Sequence, residues 1–373
     1  TGLKDAVMID VGGTTTDIGV LRNGFPRLDP EGAIIGGHRT RVRAAAVTTF
    51  GLGGDSRFVV NGKDIYLTEL RVIPVCIAAM RWPRIRDSLR ALADTFPTRS
   101  AQPFRMNEVI QDTEFFVASR PIGTENLQEC DRKLLQYIAV EPFTLTEASR
   151  ALGIHTFLFD ASRLEELGLV QRIGVTPTDL LHYEGTFTEY DRESSIYAIR
   201  YLATKADMTS DAFVAEGKQM VINKIAKDLM INLFCEDFGT EGLQPQADQI
   251  VTMAITGRQA SDFGTSIRLN KPIVGIGAPV GAWLPPVAKI FGTELVMTAD
   301  TDVGNAIGAV SGSISESMVI TIQPLPGQVC DDPACRVFAP FGNTEAKNPD
   351  DAIRYAIREG EGAIRRQAKT AGA

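Results

Sequence analysis

A chain of 373 residues, 44% hydrophobic and 23% charged, has apolar material for two or three compact cores, which excludes a disordered or fibrous protein. Its formal charge of -8 argues against a chain built mainly to wrap nucleic acid, because phosphate neutralisation needs clustered Lys and Arg. No apolar run reaches a membrane span and no secretory leader opens the chain, so the expected location is cytoplasmic, and five scattered cysteines read as reduced thiols.

The first elements are strands at Ala6–Val11 and Thr16–Leu21 flanking the segment DVGGTTTDIGV, with a hairpin signal at Asn23-Gly24 and a further strand over Arg41–Thr49. Gly12 and Gly13 remove side chains that would hold a phosphate away from the backbone, and Thr14, Thr15 and Thr16 add hydroxyls on the turn. Asp10 and Asp17 close the two strand ends with hard oxygens suited to a hydrated Mg²⁺ (or Mn²⁺) or to positioning a nucleophile, which makes them the candidate catalytic and metal residues. GLGGDS follows at Gly51–Ser56. Its glycines allow a sharp turn, so that Gly53, Gly54 and Asp55 are candidate contacts to the bound group, with Asp55 and Ser56 suited to a helix N-cap or a metal-facing edge.

The segment 126–190 has the rhythm of a winged helix. Thr144 and Glu147 form a capping-box pattern, Gly153 stops that helix, a second helix runs over about Phe157–Leu167, and LVQRIG suits a small wing. The putting together of DNA contacts fails on charge: the would-be recognition helix offers Arg163 against Asp160, Glu165 and Glu166. His155 and His182 are expected at the surface or as caps, and His38 near the site. Asp191–Cys235 reads as two long helices, and Ile250–Gly312 as alternating strand and helix with an apolar strand ending at Ile255. VGIGAP leaves a buried strand for a helix, a turn where a flat base and its sugar could lie against backbone at Gly275, Gly277, Ala278 and Pro279. Small residues Gly304, Ala306 and Gly308 surround Asn305, which serves either the nucleoside or close helix packing. CDDPAC (Cys330–Cys335) lacks a second pair of matching spacing, and reads as two thiols on a turn rather than a zinc site. Pro349–Lys369 has helical spacing. The expected organisation is 1–125, a β-rich start with the hairpin; 126–190, the insert; 191–320, an α/β part; and 321–373, a C-terminal segment and helix.

DVGGTTTDIGV resembles the phosphate hairpin of the actin, heat-shock chaperone and sugar-kinase superfamily, and with EGAIIGGHRTRVRAAAVTTFGLGGDSRF, GVTPTDLLHY, IVGIGAPVGAWLPPVAKIFG and DTDVGNAIGAVSG it resembles the hydantoinase A/5-oxoprolinase family more narrowly. The resemblance implies an actin-like ATPase (ribonuclease H-like) α/β fold carrying the insert, and an ATP- and divalent-metal-dependent opening of a cyclic amide such as a hydantoin or 5-oxoproline. It places adenosine at Gly275, Gly277, Ala278 and Pro279, and brings in a second subunit of the hydantoinase B type as a partner within a homo- or hetero-oligomer. Superfamily members carry two phosphate hairpins. SDFGTS (Ser261–Ser266) is a poor second copy, so DVGGTTTDIGV is expected to be the second hairpin of a longer protein. The alternative is a nucleotide-sensing regulator whose insert contacts a partner or DNA.

Overall fold

The computed structural model describes residues 2–29, 34–35, 38–39, 44–95, 110–121, 123, 126–239, 243–258, 262–311, 318–327 and 332–370. It divides into two units, Thr1–Gly304 and Asn305–Ala373.

The first unit is organised by one mixed sheet. Strands Ala6–Val11 (β1) and Thr16–Arg22 (β2) form the expected antiparallel hairpin, and β1 is flanked on its other edge by the parallel strand Ile273–Ile276, itself parallel to Leu295–Val296. On the far side β2 pairs antiparallel with Val47–Phe50 and with Phe25–Pro26. The last pairing is made by the Asn23-Gly24 turn, where both residues take positive φ (55° and 83°), the geometry a tight hairpin needs and that Asn and Gly tolerate. Alternate residues of β1 are buried, since Val7, Ile9 and Val11 enter a core that also holds Ile18, Trp283 and the apolar face of the long helix Ser210–Phe238.

The two long helices occur as Arg192–Lys205 and Ser210–Phe238. The expected strand ending at Ile255 is instead the helix Pro245–Thr256, with Pro at its first turn and Gly257 (φ 65°) closing it. The buried pair Val251 and Ile255 is spaced four apart, and an apolar stretch this short looks alike in both periods. Inside the long helix, Asp228 is buried with Lys224 Nζ donating to its Oδ1 (2.7 Å). Burial pushes its carboxyl up to about 6 against the opposing Lys224 cation. A raised carboxyl contributes stability that is present below pH ~4 and lost as pH rises through ~6. Melting at pH 4 and pH 7 should therefore show Asp228→Asn flattening the pH dependence and raising Tm at pH 7; a lower Tm at pH 7 would mean the Lys224 pairing outweighs desolvation.

The insert holds its own core of Leu134, Leu135, Ile138, Leu145, Ala148, Phe159 and Leu164. The Thr144–Glu147 capping box and the left-handed Gly153 cap are present. The wing is corrected: Val170–Gly174 is a central strand, antiparallel to Phe115–Ala118 and parallel to Ile73–Pro74, which ties the insert into the first unit. The helix expected over Phe157–Leu167 is a 3₁₀ turn at Thr156–Leu158 followed by Ala161–Glu166. Its Glu165 carboxylate accepts from Arg172 (2.9 and 2.5 Å), which spends that charge inside the protein.

The second unit begins at Asn305, within the helix Gly304–Ser311. Thr321–Pro324, Cys335–Ala339 and Gly342–Ala346 form an antiparallel meander, and the helix Pro349–Thr370 closes a small core of Cys335, Val337 and Ala352. Cys330 lies outside the described residues. Among those described, no helix is long and apolar enough to cross a membrane.

Candidate functional site

The hairpin register puts Asp10 directly opposite Asp17, and Asp17 opposite Thr49. Residues facing each other across antiparallel strands share one sheet face, so the two carboxylates stand side by side at the strand ends. Like charges in that position destabilise a sheet unless something positive or a donor offsets them. Part of the offset is visible: Thr49 Oγ1 donates to Asp17 Oδ1 (2.5 Å) and Thr15 Oγ1 donates to its Oδ2 (3.4 Å). Among the described residues no three His, Cys, Asp or Glu cluster as a metal cage. Two carboxylates still suit Mg²⁺, which keeps much of its water and takes one or two carboxylates plus phosphate oxygens.

The loop between the strands is closed by Gly12 N–H donating to Thr15 O (2.9 Å). GLGGDS docks beneath it: Gly54 N–H donates to Gly12 O (3.1 Å) and Asp55 N–H to Gly13 O (2.5 Å). A Cβ on Gly53 would lie 2.5 Å from Gly13 O and one on Gly54 would lie 2.6 Å from Thr178 Oγ1. The glycines of the second loop are thus explained by close approach of two backbones, whatever else they touch. Ser56 opens the strand Ser56–Asn61 rather than capping a helix, and its Oγ accepts from Gly53 N (3.1 Å). Of the three threonines, Thr16 is fully buried and its hydroxyl donates to Leu52 O (2.9 Å), which assigns it to joining the loops; Thr14 and Thr15 are only half-buried.

Sequence reasoning missed Arg71, whose Nη2 donates to Thr14 Oγ1 (2.5 Å). It missed Thr178 and Asp179 as supports, although both stand in the GVTPTDLLHY stretch. Thr178 Oγ1 donates to Gly54 O (2.9 Å). Asp179 is fully buried and accepts from Val75 N (3.2 Å), Cys76 N (2.9 Å), Thr176 N (2.9 Å) and Ser195 Oγ (2.8 Å), so one carboxylate gathers the starts of two helices behind the loop. Burial pushes the Asp55 carboxyl above the usual range; the nearby Arg71 guanidinium opposes this and the Asp179 charge adds to it. Burial also pushes the Cys76 thiol far up, which makes it a packing residue and not a nucleophile.

The VGIGAP turn arrives at the same place because Asp10 is in register with Ile276 of the neighbouring parallel strand. Gly277 has φ 109°, its N–H donates to Thr301 O (3.0 Å), and a Cβ there would overlap the Val11 carbonyl and lie 3.2 Å from Asp10 Oδ1. Gly275 answers to packing: a Cβ would sit 2.9 Å from Leu284 Cδ1 of the following helix, Val280–Ile290. Ala278 is exposed and Pro279 caps that helix. Asn305 belongs to the second unit. His155 is an exposed cap, with Nδ1 accepting from Phe157 N (3.5 Å). His182, expected at the surface or as a cap, is instead in the core: it is fully buried, with Nδ1 2.8 Å from Thr178 O and Nε2 accepting from Tyr190 N (3.1 Å). The side chain of His38 lies outside the described residues.

Residues 1–74 match the hydantoinase/oxoprolinase family model, which holds the hairpin, GLGGDS and Arg71. A solved chain of nucleotide-free acetone carboxylase, from work on the mechanism of ATP-dependent acetone carboxylation, is similar at 12% identity and a TM-score of 0.39, with 88% of this chain and 32% of that chain covered. This chain therefore spans about a third of that one's length. No curated protein matches it.

Proposed function

We propose that this chain carries the nucleotide site of an ATP-dependent enzyme that opens a cyclic amide, within an actin-like ATPase fold. The observation that carries the reading is the Asp10/Asp17 pair at the mouth of a glycine–threonine loop, met on one side by GLGGDS and on the other by the VGIGAP turn. Three further facts support it. The sheet has two parallel strands on one side of β1 and antiparallel neighbours on the other, the order Leu295–Val296, Ile273–Ile276, β1, β2, then Val47–Phe50. The family match falls on the segment that holds the hairpin. Gly13 is exposed on the loop, which leaves backbone open where a phosphate needs close approach.

When bound, Mg-ATP would supply the γ-phosphoryl group that activates the amide carbonyl toward water: water would add to that carbon, the ring C–N bond would break with the protonated nitrogen leaving, and a second water would release the phosphoryl group as phosphate beside ADP. The chain's own residues do the rest. Asp10 and Asp17 supply the oxygens that hold the divalent ion or orient its water. Gly12 and Gly13 present backbone to phosphate, Thr14 and Thr15 add hydroxyls, and Arg71, anchored on Thr14, places positive charge where negative charge accumulates. Gly277 and Ala278 bring the other wall of the site to Asp10. The reading is tested by measuring phosphate release from ATP by the full-length protein against a panel of cyclic amides. Release that requires both a ring and a divalent metal is the expected result. ATP hydrolysis indifferent to every ring and instead tuned by a protein or DNA partner would favour a nucleotide-sensing regulator.

A further inference from the structure

A cleft of about 1170 Å³ opens beside the hairpin loop, between the strand Asp64–Arg71 and the insert, and is large enough for a small ring next to the end of a phosphate chain. Asp55 and Arg71 line its loop end. Asp55 is held by its backbone on both sides, because its N–H donates to Gly13 O (2.5 Å) and its carbonyl accepts from Val72 N (3.0 Å). Both of its carboxylate oxygens lie 3.5 Å from the place a Cβ on Gly13 would take, so the carboxylate rests against the exposed glycine of the loop.

That carboxylate lacks what its neighbours have. Glu69 pairs with Lys224 (3.6 Å), Glu165 with Arg172 (2.5 Å), and Asp160 caps the helix Ala161–Glu166 by accepting from Arg163 N (3.3 Å). The guanidiniums are likewise engaged: Arg57 and Arg172 donate to the buried Glu114 (2.5 and 3.3 Å), and Arg71 donates to Thr14. The Asp55 side chain accepts no hydrogen bond and makes no ion pair with any described residue. A half-buried carboxylate fixed by its backbone, open to the largest cleft and without a donor is a reactive group in waiting, since structural carboxylates are normally satisfied. Burial raises its proton affinity; the Arg71 guanidinium opposes this and the buried Asp179 charge adds to it.

We propose that Asp55 is the general base of the ring-opening step, taking a proton from the water that attacks the amide carbonyl carbon and delivering it to the ring nitrogen. This deepens the function proposed above and rests on it. As the water oxygen bonds to carbon, one of its protons passes to an Asp55 carboxylate oxygen; as the ring C–N bond breaks, Asp55 gives that proton to the departing nitrogen. The second water proton leaves when the new C=O forms, through the same carboxylate to solvent. A base with no hydrogen bond to surrender accepts a proton without first losing a partner, and one whose proton affinity is raised works closer to neutral pH. The ring then sits in the cleft with its reacting carbon between Asp55 and the loop, and Arg71 faces the charge that builds on oxygen.

The test compares Asp55→Asn and Asp55→Glu with the wild type in the full-length protein. Ring-dependent phosphate release by Asp55→Asn should fall by about a hundredfold or more in kcat, with KM for ring and for ATP within about threefold. Asp55→Glu, which keeps a carboxylate, should turn over about tenfold faster than Asp55→Asn or better. The wild-type kcat should decline on the acid side as one carboxyl protonates, a limb that Asp55→Asn should lack. Two readouts do not depend on turnover: calorimetric ATP binding should match the wild type, and the Tm of Asp55→Asn at pH 7 should be no lower, because the change removes a desolvated charge. Turnover that survives Asp55→Asn, an acid limb that persists in it, or equal rates for the Asn and Glu variants would overturn the assignment. A lower Tm with weaker ATP binding would make Asp55 a prop of the loop and not a base. Wild-type protein that no cyclic amide stimulates would sink the proposed function and this role with it, whereas stimulation that Asp55→Asn retains would sink this role alone.

Discussion

Asp10→Asn is expected to lower ring-dependent ATP turnover by the full-length protein at least a hundredfold while leaving the fold intact and the melting temperature unchanged or slightly higher. The two halves of this expectation have different causes. Asp10 faces Asp17 across the hairpin, and removing one of two like charges in that position relieves repulsion of roughly 0.2–1 kcal/mol. On the proposed function the same change takes away a carboxylate oxygen from the place proposed to hold a divalent ion or attacking water, and one such electrostatic contact is worth about 3–4 kcal/mol in the transition state. Stability and activity thus move in opposite directions, which a purely structural aspartate would not do. Parallel thermal melts and steady-state phosphate release decide it. Turnover unaffected by Asp10→Asn would remove Asp10 from the site, and a joint loss of stability and turnover would make it a folding residue.

Gly277→Ala should cost roughly 3 kcal/mol or more and abolish nucleotide binding, whereas Gly281→Ala, four residues on, should be neutral or stabilising by about 0.5–1 kcal/mol. Gly277 sits at φ 109°, which an L side chain rarely adopts, and its Cβ would occupy the space of the Val11 carbonyl. The turn must swing away from the hairpin to accept it, and so loses its contact with Asp10. Gly281 lies inside the helix Val280–Ile290 with nothing within 4 Å of a Cβ. Urea unfolding of both variants with an ATP titration checks the contrast. A Gly277→Ala protein of unchanged stability would mean that the two turns do not touch in solution.

The hairpin was legible because its signals are local. Alternating apolar residues, two glycines at the turn, and Asn23-Gly24 each act within a few residues, and the strands Ala6–Val11 and Thr16–Arg22 occur where those signals put them. The Thr144–Glu147 capping box is local in the same sense. The segment Pro245–Thr256 shows the limit, since a brief apolar run fits a strand or a helix until Pro245 and Gly257 are seen to bracket whole turns. LVQRIG shows another: the strand was foreseeable, but its partners, Phe115–Ala118 and Ile73–Pro74, lie far along the chain and turn a wing into a tie between insert and body.

What the sequence by itself determined is the chemistry on offer: a turn able to approach phosphate, two carboxylates at the strand ends, and a glycine-rich turn before a late helix. Only the tertiary structure decided which of those groups work together. It spent Thr16 on Leu52, explained Gly53 and Gly54 by close packing against Gly13 and Thr178, placed Gly277 against Asp10, and brought in Arg71 from the end of the exposed strand Asp64–Arg71. The physical reason is range. Propensity, capping and turn preference act over a few bonds, whereas a hydrogen bond from Arg71 to Thr14 joins residues far apart in the chain and exists only after the strands between them have paired.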